Sequence, residues 1–461
     1  MKPGTAILTT VFVLCCYEIS AQTPLDSLKD TFESQIGETI GEFDRYGRQA
    51  LEEYKEYTLR AARDHAAYLS DIQQVWGEDN ILEDTPVKWV EYGEDFMSRS
   101  IVDFDSGEII VEVMLADGRG DRNRTHEGQP DEEKLLEDAV SRLLSSRGST
   151  CPYKSSVDIS EPLTDNPILE GLVDFSGFDI PSSGEGGTNW LQSGRKTPPL
   201  PAVKGKKLPG KDNAPPTMPD TLKNGKGQTM ASQAIKDNRA ERTATDNSAV
   251  AEAVARQSKK TYKTYGKGTE AKRAVQITLS LVTDNLSKNA ALYKDIVSEF
   301  SQKFQIEQAL IYAVMEQESR FNPEATSHVP AYGLMQLVPE SGGFDAYRYV
   351  YGKEWVPTRS YLFNPRNNIE LGTAYLRILE NQFSNIENPH CRRLCVIAGY
   401  NTGAGNVSRA FTGNTNLNKA LPLINGYGYN QLYNHLTTKL GTEEARNYVS
   451  GVTQRREKYL Q

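Results

Sequence analysis

The sequence predicts an α+β protein: a small mixed domain, then an unstructured insertion, then a larger all-helical domain. Three observations lead to this prediction. Apolar residues alternate in a hairpin pattern within residues 98–115, and helical periodicity continues from Asn285 to the C-terminus. Between them, residues 182–270 are rich in Pro, Lys and Gly and poor in large apolar side chains. A chain of 461 residues has room for two or three domains.

The N-terminus, residues 1–21, reads as an export signal. A positively charged start precedes an apolar run from Ala6 to Cys16 that is too short to span a membrane. Cleavage would follow Ala21. A second interpretation is a lipoprotein signal, in which Cys15 or Cys16 carries the lipid. Both interpretations predict an exported, periplasmic protein, and the second also predicts an anchor in the outer membrane.

The predicted N-terminal domain occupies residues 22–181. Asp26 to Trp76 is free of proline and rich in helix formers, which predicts one or two long helices. The stretch "SRSIVDFDSGEIIVEVML" predicts a hairpin with its turn at Asp-Ser-Gly. Asp131 to Arg147 again has helical periodicity. A strand predicted at residues 273–283 would return, late in the chain, to the sheet of the hairpin.

The insertion at residues 182–270 cannot bury enough apolar surface to offset its chain entropy, which predicts disorder. It is net basic and could be a solvated tether or could adhere to an anionic polymer or membrane surface. The whole chain carries a formal net charge of −9. Together with the export signal, this charge argues against a nucleic acid as partner.

The cysteines predict neither a disulfide framework nor a metal site. After signal cleavage the chain retains Cys151, Cys391 and Cys395, an odd number. The last two are four residues apart, as zinc ligands can be, but no further cysteine or histidine stands at metal spacing. We therefore expect packed thiols on a helical face, with no metal and no cofactor.

One glutamate continues an apolar stripe in the C-terminal domain. Ile306, Leu310 and Val314 step by four residues, and the next step reaches Glu318, whereas Glu316 is expected to point elsewhere. A proline ends this helix shortly afterwards. Burial at the end of a helix would raise the pKa of Glu318 and suit it to general acid catalysis. From spacing alone, a solvated or salt-bridged glutamate is the commoner outcome.

Two later segments could complete a groove beside this glutamate. Gly333 permits a close approach of backbone to a ligand and is followed by "LMQ". The segment "GYNTGAGN" places Tyr400 and Asn401 at the end of an apolar helix. Its Gly-Ala-Gly is weak evidence for a phosphate loop, because no P-loop lysine follows. We interpret it as a helix-ending turn.

Four motifs then resemble a known family. They are "ESRFNP" from Glu318, "AYGLMQL" from Ala331, the Tyr400-Asn401 pair, and "ARNY" ending at Tyr448. In this order they resemble the goose-lysozyme-like lytic transglycosylases that cut bacterial peptidoglycan, in particular the membrane-bound type C enzymes. The resemblance covers about residues 290–460 and extends more faintly to the N-terminal hairpin. It implies a lysozyme-like catalytic domain at residues 285–461.

The resemblance also implies roles for individual residues. Glu318 would be the single catalytic acid and base for cleavage of the MurNAc–GlcNAc bond, with closure of a 1,6-anhydro ring and without a cofactor. The partner would be the peptidoglycan glycan strand, and the enzyme is expected to be a monomer. The residues implied to line the glycan groove are Ser327, Met335, Gln336, Tyr400, Asn401 and Tyr448.

Two other functions stay open at this point. A goose-type lysozyme would hydrolyse the bond through an activated water and further carboxylates, for which Glu324, Asp345 and Glu370 are available. A non-catalytic cell-wall-binding protein could use the basic insertion to hold itself on anionic surfaces. The motif containing Glu318 favours an enzyme over this second alternative.

Overall fold

The computed structural model describes residues 25–115, 131–180, 247–266, 271–327 and 329–460, with the backbone alone for residues 25–47 and 51. The predicted export signal at residues 1–21 therefore lies outside the described residues. Most of the predicted insertion, residues 182–246, lies outside them as well. Within the described part of the chain, every helix is too short or too polar to cross a bilayer.

The N-terminal domain joins one long helix, α1 (Leu25–Trp76), to an antiparallel sheet. The strands are β1 (Lys88–Tyr92), β2 (Ser98–Asp103), β3 (Glu108–Met114), β4 (Val173–Asp174), β5 (Thr261–Tyr265) and β6 (Lys272–Leu281). Their spatial order is β1-β2-β3-β6-β4, and β5 also pairs with β6. The hairpin predicted from the alternating pattern is β2–β3, with Ile101 opposite Ile110.

Strand β6 is the long central strand that completes this sheet. It pairs with every residue of β3, from Met114 opposite Ala274 to Glu108 opposite Ser280. Its other edge pairs with β5 at one end and with β4 at the other. The strand expected late in the chain is therefore present and joins the sheet of the hairpin. Its alternating apolar residues give the sheet one buried face.

Among the described residues, two helices cover that face, and one of them was not predicted from the sequence. Helix α2 (Glu132–Ser145) buries a stripe of leucine, alanine and valine. Helix α3, residues 247–257, packs Ala251 and Val254 into the same core. Residues 247–266 belong to the segment that the composition predicts to be disordered, but they form α3 and β5. The Ala/Val repeat of α3 buries enough apolar surface to order the segment, which the average composition of residues 182–270 concealed.

The regular elements in the described part of the C-terminal domain are helices, which confirms the predicted α+β class with a helical C-terminal domain. Its α-helices are α4 (Asn285–Leu292), α5 (Lys294–Phe304), α6 (Gln308–Ser319), α7 (Phe344–Tyr351), α8 (Arg359–Phe363), α9 (Pro365–Gln382), α10 (Pro389–Thr402), α11 (Ala404–Thr412), α12 (Leu417–Asn425), α13 (Tyr429–Lys439) and α14 (Glu443–Lys458). Helices α6, α10 and α14 share one apolar core and bring their functional side chains together.

The two domains meet at the loop that follows α6. Asn322 Nδ2 donates to the carbonyl oxygens of Thr85 and Pro86, just before β1. The backbone N–H of Ser149, after α2, donates to Glu324 Oε1 at 2.6 Å. These contacts attach the sheet domain to the segment that directly follows the predicted catalytic helix in the chain.

Candidate active site

Helix α6 carries Glu318 in its last turn. Leu310 and Val314 are buried on the same side of the helix, as the four-residue step predicts. The helix ends at Ser319 and is capped by Arg320, whose backbone lies in the left-handed region at φ 51°. Glu318 itself is partly buried. Its carboxylate therefore lies at the margin of the core, where a proton donor can still meet a ligand.

The Glu318 carboxylate accepts one hydrogen bond from a tyrosine. Tyr448 Oη donates to Glu318 Oε1 at 2.6 Å. Burial raises the pKa of Glu318 to about 8, the Tyr448 hydrogen bond opposes that rise, and the charge of Glu444 adds to it. A carboxyl group that keeps its proton at neutral pH can act as a general acid. Burial of Glu318 thus accounts for a rise of its pKa, in the direction expected from the sequence.

Tyr448 reaches Glu318 because α14 turns one side onto the core. Thr442 caps the helix by accepting from the N–H of Ala445, and Ala445, Val449 and Val452 are buried. Tyr448 follows this stripe and is only 4 % exposed. Its phenol is therefore fixed in position, and its pKa is raised by burial and by the charge of Glu318.

Tyr400 connects α10 to the loop that follows α6. Its hydroxyl donates to the carbonyl oxygen of Met335 at 2.9 Å. Burial and the nearby charge of Glu318 raise the pKa of the phenol well above its usual value. Tyr400 therefore lies close to Glu318 and holds the backbone of residues 333–337 beside it.

Asn401 contacts Glu444, a charged residue that the sequence motifs did not indicate. Asn401 Nδ2 donates to Glu444 Oε1 at 3.1 Å, and the charge of Glu444 raises the pKa of Glu318. Glu444 stands four residues before Tyr448, so the two side chains share one side of α14. The four-residue spacing from Tyr448 is the feature of the sequence that could have identified Glu444. The site thus contains a second, exposed carboxylate.

The loop residues that the resemblance implies for the glycan groove differ in their contacts and burial. Gln336, at φ 46°, donates from Nε2 to Ala325 O and Gly333 O, while its buried Oε1 has no hydrogen-bond partner among the described residues. Ser327 donates to the carbonyl oxygen of Val329. Met335 is fully buried. Its side chain therefore supports the loop from the core and does not line a groove in this conformation, because close packing leaves it no exposed surface.

Glu316 has other partners than Glu318, but it is buried, which its place outside the apolar stripe does not predict. Glu316 is 4 % exposed and Glu324 is 3 % exposed, so both are more completely buried than Glu318. Glu316 faces the C-terminal end of α14, and Lys458 Nζ lies 3.0 Å from its carboxylate. Apolar spacing along α6 could not show that cations of another helix would surround this position.

The other carboxylates considered for a hydrolase have partners away from Glu318. Glu370 binds Lys303 at 2.6 Å and Tyr351 Oη at 2.7 Å. Asp345 faces Arg348, with a nitrogen–oxygen distance of 3.6 Å. Among the described residues there is no cluster of His, Cys, Asp and Glu that could hold a metal, and Cys391 and Cys395 are buried free thiols.

A separate cleft opens at the domain boundary. It has a volume of about 390 Å³, and neither Glu318 nor Tyr448 belongs to its lining. Helix α1, the loop after α2 and the loop after α6 contribute its walls. Its aromatic and basic lining residues include Tyr54, Tyr57, Tyr68, Tyr92, Tyr153, Tyr332 and Arg359.

Comparisons with known proteins agree with this architecture. The family model "Transglycosylase SLT domain" matches residues 295–422, and "Membrane-bound lytic murein transglycosylase C, N-terminal domain" matches residues 56–126. A curated membrane-bound lytic murein transglycosylase C from Sodalis glossinidius is 30% identical over 85% of this chain and 88% of its own length. The homologue from Serratia proteamaculans is 43% identical over 40% of this chain and 51% of its own length.

A solved structure also matches in part. The 70-kDa soluble lytic transglycosylase from Escherichia coli is 26% identical, with 38% of this chain and 25% of that chain covered and a TM-score of 0.29. The relative from Sodalis glossinidius matches most of the length of both chains, and separate family models match both domains. The chain therefore belongs to the membrane-bound lytic murein transglycosylase C family and is a lytic transglycosylase.

Proposed function

We propose that the enzyme cleaves the β-1,4 bond between N-acetylmuramic acid and N-acetylglucosamine in peptidoglycan without water, with Glu318 as its single acid and base. The observation that carries this proposal is the partly buried Glu318 carboxyl, whose pKa is raised to about 8 and which accepts from Tyr448 Oη. Such a group holds a proton at neutral pH and can release it to a ligand at the core margin.

The proposed reaction balances without a co-reactant. Protonated Glu318 gives its proton to the bridging oxygen, the C1–oxygen bond breaks, and the N-acetylglucosamine end leaves with a free C4 hydroxyl. The muramyl ring passes through an oxocarbenium-like state. Its own C6 hydroxyl attacks C1, and ionised Glu318 takes up the hydroxyl proton. A 1,6-anhydro ring results, and the carboxyl group regains its starting state.

The intramolecular attack explains why one carboxyl group suffices. The C6 hydroxyl is held in the same sugar as C1, so no second group is needed to activate water. This account is supported by the positions of Glu324 and Glu370, which are engaged by Ser149 in one case and by Lys303 and Tyr351 in the other. The charge of Glu444 acts on Glu318, but the Glu444 side chain is exposed to solvent. We assign to it an electrostatic influence on Glu318.

Product mass tests the reaction. Isolated sacculi are digested with the enzyme, and the soluble fragments are analysed by mass spectrometry. Anhydro-muramyl ends lack one water relative to hydrolysed ends, so the proposal predicts fragments lighter by the mass of water. A product mixture made only of reducing ends would contradict it and would favour a goose-type hydrolase.

A substitution tests the assignment of the acid. Glu318→Gln keeps the size of the side chain and can still accept from Tyr448, but it has no proton to transfer. We expect activity on peptidoglycan to fall by about 100- to 10,000-fold. Glu370→Gln is the matched control, because it lies in the same domain and is bound elsewhere. A Glu318→Gln protein that clears peptidoglycan as well as the wild type would remove Glu318 from this role.

We further propose that the enzyme works in the cell envelope, on peptidoglycan strands, as a monomer. The names of its relatives, membrane-bound lytic murein transglycosylase C, support an envelope location. The apolar N-terminal run with Cys15 and Cys16 would provide the lipid attachment. Metabolic labelling with a radioactive fatty acid tests this, with Cys15→Ser and Cys16→Ser as controls. Label that persists in the double variant would contradict lipidation at these cysteines.

A further inference from the structure

An ion cluster around a buried glutamate lies next to the proposed catalytic pair, where α6 and α14 meet. At its centre is Glu316, two residues before Glu318. Lys458 Nζ lies 3.0 Å from Glu316, Arg455 Nε lies 3.6 Å from it, and Tyr459 Oη donates to it. Three side chains from the end of α14 therefore converge on one carboxylate of α6.

The same two helices carry the catalytic pair. Glu316 and Glu318 stand on α6, whereas their partners stand on α14, and the partner of Glu318 is Tyr448. Between the two contacts the helices approach closely. A Cβ at Gly451 would clash with Gln317 Oε1, so a substituent there would have to displace the Gln317 side chain. A small relative movement of the helices would therefore change the distance between Tyr448 and Glu318.

The cluster also reaches the N-terminal domain. Arg320 Nη1 lies 3.3 Å from Glu316, and its Nη2 lies 2.7 Å from Asp105 in the β2–β3 turn. Arg320 thus links the hairpin to the cation cluster. Asp105 is 56 % exposed, so we expect its ion pair with Arg320 to contribute little to stability.

We propose that Glu316 is a positioning residue for the transglycosylase reaction, which holds the end of α14 on α6 so that the Tyr448 hydroxyl stays in hydrogen-bond contact with Glu318. This inference rests on the proposed role of Glu318. Its physical basis is charge balance. Glu316 is the anion that Arg320, Arg455 and Lys458 share, and removing a buried partner leaves like charges to repel each other. A movement of the end of α14 away from α6 would relieve that repulsion.

Substitution of Glu316 by glutamine tests the proposal through a pH profile. Glu316→Gln keeps the side-chain volume and can still accept from Tyr459. The groups that face Glu318 are Tyr448, Tyr400 and Glu444, and the Tyr448 hydrogen bond lowers the pKa of Glu318. Weakening that bond should move the alkaline limb of kcat/KM to higher pH by about 0.4 to 1 unit. On soluble glycan fragments, kcat should fall about 10-fold, with KM changed less than about twofold.

The sign of the shift separates this mechanism from simple electrostatics. Loss of the Glu316 charge alone would leave its cations uncompensated and would stabilise ionised Glu318. The limb would then move to lower pH. In a Tyr448→Phe background the hydrogen bond is already absent, so Glu316→Gln should move the limb no further to higher pH. Two results would overturn the proposal. One is an alkaline limb that Glu316→Gln moves to lower pH, and the other is a full additional rise of the limb when Glu316→Gln is added to Tyr448→Phe.

Glu307→Gln is the matched control. Glu307 precedes α6 and pairs with Arg456 of α14 at 2.6 Å, so it joins the same two helices with the same chemistry. It lies at the opposite end of α6 from Glu318. We expect a lowered melting temperature and an unmoved alkaline limb. If Glu307→Gln moves the limb as far as Glu316→Gln does, the cluster has no special role in positioning.

A milder variant keeps the test open if Glu316→Gln does not fold. Tyr459→Phe removes only the hydroxyl that donates to Glu316 and preserves the stacking on Tyr312. It should move the alkaline limb in the same direction by a smaller amount, and an unmoved limb would count against the proposal. Failure of the proposed function would look different: a wild-type enzyme without anhydro products, or an active Glu318→Gln protein.

Discussion

The hydroxyl of Tyr448 and the carboxylate of Glu318 are 2.6 Å apart, although 130 residues separate them in the chain. This contact joins the last helix to the end of α6. It stabilises the ionised form of the glutamate against the burial that favours its protonated form. The two effects together set the pH range in which the acid is protonated.

Removal of the Tyr448 hydroxyl should therefore extend activity to higher pH. Activity requires protonated Glu318 and declines as pH rises through its pKa of about 8. In Tyr448→Phe the hydrogen bond that lowers this pKa is absent, so the alkaline limb should move upward by about 0.4 to 1 unit. We also expect kcat to fall about 5- to 10-fold. An unchanged limb in a pH series of kcat/KM would show that the contact does not set the acidity.

Removal of the Glu444 charge should have the opposite effect. Glu444 raises the pKa of Glu318 through its charge, so Glu444→Gln should lower that pKa and move the alkaline limb to lower pH by a few tenths of a unit. The glutamine can still accept from Asn401. Because Glu444 is exposed, the difference from the wild type should shrink in 1 M salt. A salt-independent difference would indicate a structural cause.

Substitution of Gly148 should destabilise the domain interface. Gly148 is at φ 65°, and a Cβ there would meet Glu324 Oε1 at 2.5 Å. Gly148→Ala should lower the free energy of unfolding by about 1–3 kcal/mol from this clash, in addition to backbone strain. Gly171→Ala is the control, because Gly171 is at φ 71° with no atom within 4 Å of an added Cβ. Denaturant unfolding should show a larger loss for Gly148→Ala, and equal losses would contradict the clash.

Buried carboxyl groups at the interface should make stability fall as pH rises. Burial raises the pKa of Glu91 to about 7 and that of Asp84 to about 6, and it raises the pKa of Glu324 well above its usual value. The folded state therefore binds more protons than the unfolded state. The stabilisation is complete below about pH 4 and is lost as pH rises through about pH 6 to 7.

Thermal melts at pH 5 and pH 8 check this dependence. The wild type should melt at a lower temperature at pH 8, and Glu91→Gln should reduce the difference by about 2–4 °C, because the glutamine cannot ionise. Glu94→Gln, at an exposed position three residues away, should leave the difference unchanged. A wild-type protein that is more stable at pH 8 than at pH 5 would contradict the prediction.

The sequence by itself determined much of the local structure. Periodicity of two fixed the β2–β3 hairpin, and periodicity of 3.6 fixed the helices of the C-terminal domain. The four-residue step from Leu310 and Val314 pointed to Glu318, and the motifs pointed to the family. These features depend on neighbours within one element, and a single sequence records such neighbours directly.

Only the tertiary structure decided which charged groups are buried and what they meet. Glu316 can be buried because α14 supplies cations to its carboxylate. Glu324 can be buried because the loop after α2 supplies a backbone N–H to it. Glu444 lies beside Asn401 because α10 and α14 pack together. Residues 247–257 fold because β6 and its neighbours offer an apolar face. Burial depends on which distant element covers a residue, and periodicity within one segment does not encode that choice.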